Sequence, residues 1–156
     1  MRQLRRLPPG EFPASGGSWT NGRQYIEFEV WEVKPLRKNW EYRRGDVYLA
    51  NLDPVVGAEI GGIRPVMILQ NNTGNFFSPT LIAAPLTSNI DKKPNQPTHF
   101  LLEQVRGLSR PSMVILEQLK TLDKRRIIKY LGRVDSNILY SPEFCKCLAV
   151  SLALYL

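Results

Sequence analysis

Three short apolar runs, residues 47–52, 65–70 and 80–86, stand between turn-rich connectors in the first half of the chain. Each is rich in Val, Ile and Leu and too short for a typical helix, which predicts strands. Residues 98–102 predict another short strand. Residues 112–122 predict a longer one, with Met113, Ile115 and Glu117 alternating against Val114, Leu116 and Gln118. Charge at 123–126 ends that run, and a short element at 127–134 follows, broken at Gly132. The connectors 89–97 and 105–111, and the sequence Asn72-Thr73-Gly74-Asn75, read as loops. The last segment is different: Ser141-Pro142 is an N-cap followed by proline at the first helical position. Phe144, Leu148, residues 150–152 and Tyr155 then form an apolar stripe at helical spacing, expected to pack on the sheet. Upstream, residues 1–24 are rich in Pro, Gly, Ser and Arg without apolar periodicity and are expected to be weakly ordered. In residues 25–33, Ile26, Phe28 and Val30 alternate with Glu27 and Glu29, as in a half-buried strand. The expected fold is mainly β, with antiparallel strands and a C-terminal helix, and no internal repeat.

Length and charge narrow the function. A chain of 156 residues with 43% hydrophobic content favours one domain with a real core. The net charge of +7 and pI of about 9.6 suit a polyanionic partner such as nucleic acid, or serve solubility alone. The excess is spread along the chain. Residues 1–40 hold seven Lys/Arg against four Asp/Glu, and the remainder fourteen against ten. Cys145 and Cys147 point to different faces of the expected helix, so neither a disulfide nor a metal pair is expected. Reduced thiols, the lack of an apolar run of about 20 residues and the lack of an apolar segment after the N-terminal arginines favour a cytoplasmic protein without a membrane role.

Several chemistries are poorly supported. One histidine, His99, rules out a two-histidine acid–base pair, and no ligand spacing for a metal is present, so no cofactor is expected. There is no G-x-S-x-G elbow, P-loop or dinucleotide fingerprint. His99, in a strand-like run, reads as structural. What remains is a cation-and-hydroxyl site. Gly61-Gly62 permits close backbone approach, Arg64 follows at the head of a strand, and Pro65 stiffens the next position. Thr87-Ser88 closes the third run. On residues alone, Arg64 is also well read as a surface arginine paired with Glu59 or solvent.

From Arg43 onward the chain resembles the MazF/PemK family of toxin endoribonucleases from toxin–antitoxin modules. The motifs are Arg44-Gly45-Asp46-Val47-Tyr48, residues 57–65, Gln70-Asn71, Phe77-Ser78-Pro79-Thr80, Leu86-Thr87-Ser88, Pro97-Thr98-His99 and residues 117–124. None is decisive alone; their order and spacing over more than a hundred residues carry the match. The resemblance implies a small SH3-like or CcdB-like barrel over residues 41–156 and a homodimer. It also implies cleavage of single-stranded mRNA at specific sequences, without metal, leaving 2′,3′-cyclic phosphate and 5′-OH ends. By the same resemblance Arg64 and Thr87 are catalytic. Ser112, Glu117, Gln118 and Lys120 match positions that contact RNA, Lys120 standing where the family often has arginine. Glu59 is a base or orients Arg64. A cognate antitoxin with an acidic, partly disordered tail is the implied protein partner.

Two points stay open in the residues. Glu117 and Gln118 are adjacent, so on a regular strand only one faces RNA unless a bulge intervenes. Residues 1–40 depart from the family pattern, as an extension, an added edge strand, or upstream-translated chain. A non-catalytic module on the same fold, binding RNA or a protein target such as DNA gyrase, is the alternative function. A third is a homologue inactivated by its N-terminal extension.

Overall fold

The apolar runs are nearly continuous because the sheet they form is buried on both faces. The computed structural model describes Leu36, residues 39–92 and residues 95–154. The strands are β1 (Asp46–Asn51), β2 (Ile63–Ile68), β3 (Thr80–Thr87), β4 (His99–Leu102), β5 (Ser112–Ile115), β6 (Lys120–Asp123) and β7 (Ile127–Arg133). The helices are α1 (Asn72–Phe77), α2 (Ser136–Leu139) and α3 (Pro142–Ser151). All strand pairs are antiparallel, in the order β4-β5-β3-β2-β1-β7, with β6 also paired to β3. The mainly β class with a C-terminal helix is as the sequence predicts. The strand path stays open, with β4 and β7 at its ends, rather than closing into a barrel.

Side chains two apart share a sheet face, and this sorts the central strands into two cores. Val47, Met67, Ala84 and Leu86 enter one cluster, which Leu102, Val114, Leu139 and Phe144 complete. Tyr48, Ala50, Val66, Ile68, Leu81 and Ala83 enter the other, closed by Leu122 and by half-buried Leu36, Trp40, Tyr42 and Tyr130.

A polar knot ties the first strand to the last. Asp46 is 1% exposed. Its Oδ1 accepts from Arg133 Nε at 2.7 Å, and its Oδ2 from the Tyr48 hydroxyl at 2.9 Å and Arg43 N at 2.8 Å. The Tyr48 hydroxyl in turn accepts from Trp40 Nε1 at 2.8 Å. Burial, above all, raises the Tyr48 pKa well beyond the ordinary phenol value. A buried carboxylate with both oxygens bonded to donors avoids the desolvation cost of an unpaired charge.

Four elements differ from expectation. The run 127–134 is not broken at Gly132: β7 continues through it, with Gly132 paired to Val47 of β1. The run 112–122 is two strands: a single 3-10 turn, Leu116–Gln118, lies between β5 and β6. The break lets β5 pair with Leu86 and Thr87 while β6 pairs with residues 80–83, so one stretch serves both halves of β3. Residues 72–75 are not a loop. They begin α1, where Asn71 Oδ1 accepts from Gly74 N at 2.8 Å as an N-cap. In α3, Phe144 and Ala149 are buried, but Val150 and, just past the helix end, Leu152 are 45% and 49% exposed. Position 151 follows 144 by seven residues and faces inward, its Ser151 hydroxyl donating to Leu116 O at 2.8 Å; Val150 is turned away. Tyr155 and the expected strand at 25–33 lie outside the described residues.

The connector before β5 crosses β7 backbone against backbone. A Cβ on Gly107, at φ +96°, would stand 1.7 Å from Leu131 O, and one on Gly132 would stand 1.7 Å from Arg106 O. Gly107→Ala and Gly132→Ala are each expected to cost about 2–4 kcal/mol, from overlap and, at Gly107, backbone strain. Urea denaturation measures this; a wild-type midpoint in either variant contradicts the close crossing.

Candidate active site

The register between β2 and β3 sets the site. Val66 opposes Pro85, Met67 opposes Ala84 and Ile68 opposes Ala83. Carried on by two residues, that register sets Arg64 opposite Thr87, on the sheet face of the Tyr48–Val66 cluster. Opposed residues in an antiparallel pair have Cβ atoms roughly 5 Å apart, within reach of one ligand group. On the outer sides, Arg64 aligns with Ala50 of β1 and Thr87 with Met113 of β5.

Arg64 is half-buried, and its Nε donates to Gly61 O at 2.8 Å. Its terminal nitrogens make no hydrogen bond among the described residues, which leaves a planar pair of donors for an anion. Burial lowers the Arg64 pKa and the nearby Asp53 carboxylate opposes the shift; an arginine so placed stays cationic at neutral pH. Thr87 Oγ1 accepts from Asn89 N at 3.2 Å, and its own proton remains available to a ligand oxygen.

The loop between β1 and β2 forms one wall. Leu52 N donates to Gly62 O at 3.0 Å at its root. Across from it, Gln118 Oε1 accepts from Ile60 N at 3.3 Å, and Gln118 Nε2 reaches Ala58 O at 3.5 Å. Lys120 Nζ lies 3.1 Å from Glu59 Oε2. The fold thus brings Glu59, Gln118 and Lys120 together. Glu59 is bound by Lys120 and makes no bond to Arg64, whose orientation comes from the Gly61 carbonyl.

Glu117 leaves this group. The turn Leu116–Gln118 rotates successive side chains by about 120°, so Glu117 and Gln118 diverge without a bulge. Glu117 Oε2 accepts from Thr98 Oγ1 at 2.7 Å, and its Oε1 lies 2.8 Å from His99 Nε2. The His99 side chain is 5% exposed, which fits a structural histidine. Ser112 is also buried, with Oγ donating to Arg110 O at 3.2 Å, and presents no group to this cleft. Cys145 and Cys147 are free. Among the described residues no group of three His, Cys, Asp or Glu is placed to hold a metal. Asp53 lies outside the expected set, although an Asp-Pro pair at the head of a loop is a recognisable turn signal.

Residues 43–141 match the family described as PemK-like, MazF-like toxin of type II toxin–antitoxin system. The chain is 44% identical over 113 residues to "Endoribonuclease EndoA" of Bacillus subtilis (strain 168), covering 72% of this chain and 95% of that protein. Among solved structures, MazF (Form-I) from Deinococcus radiodurans superposes with a TM-score of 0.61 at 25% identity, over 74% of this chain and 99% of that one. An endoribonuclease in complex with its cognate antitoxin, from a mycobacterial species, gives 0.59 at 25% identity, over 74% and 98%.

The Glu117 cluster has a pH signature. Partial burial pushes the carboxyl up, but hydrogen bonds from Thr98, its own backbone and His99 outweigh this and hold the pKa below its ordinary value of 4.5. A lowered folded-state pKa contributes stability that is present above the unfolded value and lost as pH falls through the folded one. Glu117→Gln should therefore flatten the decline in urea midpoint below about pH 4.5. Parallel wild-type and variant profiles contradict the assignment.

Proposed function

The chain belongs to the PemK-like, MazF-like toxin family of type II toxin–antitoxin systems, and from that premise we propose that it is a sequence-specific endoribonuclease acting on single-stranded mRNA. The observation that carries this reading is the half-buried Arg64, whose terminal nitrogens are uncommitted among the described residues and which falls in line with Thr87 when the β2–β3 register is carried on by two residues. The name of the Bacillus subtilis relative supports the reaction class.

In the proposed reaction the ribose 2′-OH attacks the adjacent phosphorus and the 5′ oxygen leaves. The products are a 2′,3′-cyclic phosphate and a 5′-OH end. Negative charge gathers on the phosphoryl oxygens as the bond forms, and the Arg64 guanidinium is already in position to meet it with two parallel hydrogen bonds. Thr87 donates a third from its hydroxyl. The 2′-OH proton needs an acceptor other than arginine, whose pKa above about 12 makes it too weak a base. Glu59 is the candidate acceptor, and the departing 5′ oxygen takes its proton from solvent water to become the 5′-OH. No step calls for a metal.

RNA lies in this reading along the wall formed by Glu59, Gln118 and Lys120, where amide, carboxylate and ammonium groups meet single-stranded base edges and backbone. Glu117 takes part only from the far side of the Leu116–Gln118 turn, and Ser112 only as a buried residue at the head of β5. The net charge of +7 suits both RNA and a cognate antitoxin with an acidic, partly disordered tail covering the cleft. We assign the active form to a homodimer in the cytoplasm. Among the described residues no helix is long and apolar enough to cross a membrane.

The test is cleavage of a long single-stranded RNA in EDTA. Wild type is expected to cut at a few sites and leave cyclic-phosphate ends. Arg64→Ala is expected to lose about 100-fold or more in rate, the cost of removing a charge-stabilising donor. Wild-type protein that binds RNA without cutting it turns the reading to a binding module. Activity that survives Arg64→Ala keeps the enzyme and refutes this mechanism.

A further inference from the structure

One carboxylate fixes the peptide that holds the arginine. Asp53 Oδ1 accepts from Gly62 N at 2.9 Å, and Gly61 O accepts from Arg64 Nε at 2.8 Å. That N–H and that C=O belong to a single peptide unit, the one joining Gly61 to Gly62. They point in opposite directions across a trans peptide. Asp53 and Arg64 therefore grip the same peptide plane from its two sides, anion on the N–H and cation on the C=O. Such a chain polarises in one sense, each bond strengthening the next.

The surrounding geometry is built to keep this contact. A Cβ on Gly61 would stand 2.6 Å from Asp53 Oδ1 and 2.8 Å from Val55 Cγ2, so only glycine lets the carboxylate lie this close. Gly62 takes φ +80°, the left-handed conformation that turns the chain into β2. Asp53 is itself held from behind: its N–H donates to Asn51 Oδ1 at 3.0 Å, and Arg126 donates to its carbonyl. The same carboxylate favours the charged form of Arg64 against the burial that disfavours it.

We propose that Asp53 is a positioning residue of the cleavage site. Its carboxylate fixes the Gly61–Gly62 peptide, and that peptide orients the Arg64 guanidinium so that its terminal nitrogens face Thr87. The kinetic part of this inference rests on the ribonuclease reading above. The hydrogen-bond chain does not, because it exists without RNA.

Two measurements on the full-length protein test it. The first is solvent exchange of the Arg64 Nε proton by 15N NMR, its signal identified by loss in Arg64→Lys. Asp53→Ala and Gly61→Ala are expected to speed that exchange about tenfold or more, and Asp53→Asn, which keeps an oxygen acceptor for Gly62 N, to leave it within about threefold of wild type. The second is steady-state RNA cleavage. Asp53→Ala is expected to lower kcat by about 10- to 100-fold with KM moving less than about threefold, and Asp53→Asn to restore most of the loss. Wild-type exchange and kcat in Asp53→Ala overturn the proposal. So does an Asp53→Asn variant as impaired as Asp53→Ala. An inert wild type with the expected exchange pattern sinks the ribonuclease reading and leaves the hold of Asp53 on Arg64 standing.

Discussion

Were β2 to slip by one residue against its neighbours, Val66 and Ile68 would exchange faces with Met67, and both cores would have to be rebuilt. The same slip would take Arg64 out of line with Thr87. Register and site are thus one constraint. Because both faces of β1, β2 and β3 are packed, the cost of slippage is charged twice, and the alignment at the rim inherits the rigidity of the interior.

The site lies at the edge of that rigid sheet, so its chemistry depends on what extends beyond the last ladder bonds. Arg64 is the second residue of β2 and Thr87 the last of β3. Backbone bonds reach outward to hold them: Asn89 N to Thr87 Oγ1, and the Gly61 carbonyl to Arg64 Nε. Functional groups anchored this way need little reorganisation when charge develops on a ligand. Behind them, the Asp46 knot joins β1 to β7, so the strand next to Arg64 is pinned at its far end by a buried carboxylate bonded through both oxygens.

One short break in the chain decides which of its residues reach the cleft. The Leu116–Gln118 turn lets a single stretch pair with both halves of β3. It also sends Gln118 and Lys120 to the loop before β2 and Glu117 to Thr98 and His99. Residues adjacent in sequence therefore part, Gln118 to the cleft wall and Glu117 away from it.

Period-2 chemistry is local, and local patterns are what a sequence records directly. The apolar runs of β1, β2 and β3, the Ser141-Pro142 helix start and the place of Arg64 at a strand head were all legible as residue types in order. The motif series from Arg44 to Lys124 identified the family, since spacing over that length rarely arises by chance. Other features needed tertiary contacts. Asn72-Thr73-Gly74-Asn75 has poor helix formers, yet the Asn71 cap makes it a turn of helix. The 112–122 run has no Gly or Pro to mark its break, which burial of Leu116 and the two partners of β3 impose. Ser112 looks like a surface hydroxyl in sequence and is buried where β5 pairs with β4, opposite Leu102. Asp53 and Arg64 are eleven residues apart, and only the fold of the intervening loop sets them on opposite sides of one peptide. Residue identity determined which groups were present; long-range pairing decided which of them meet, because strand partners and loop closures are not encoded in any local period.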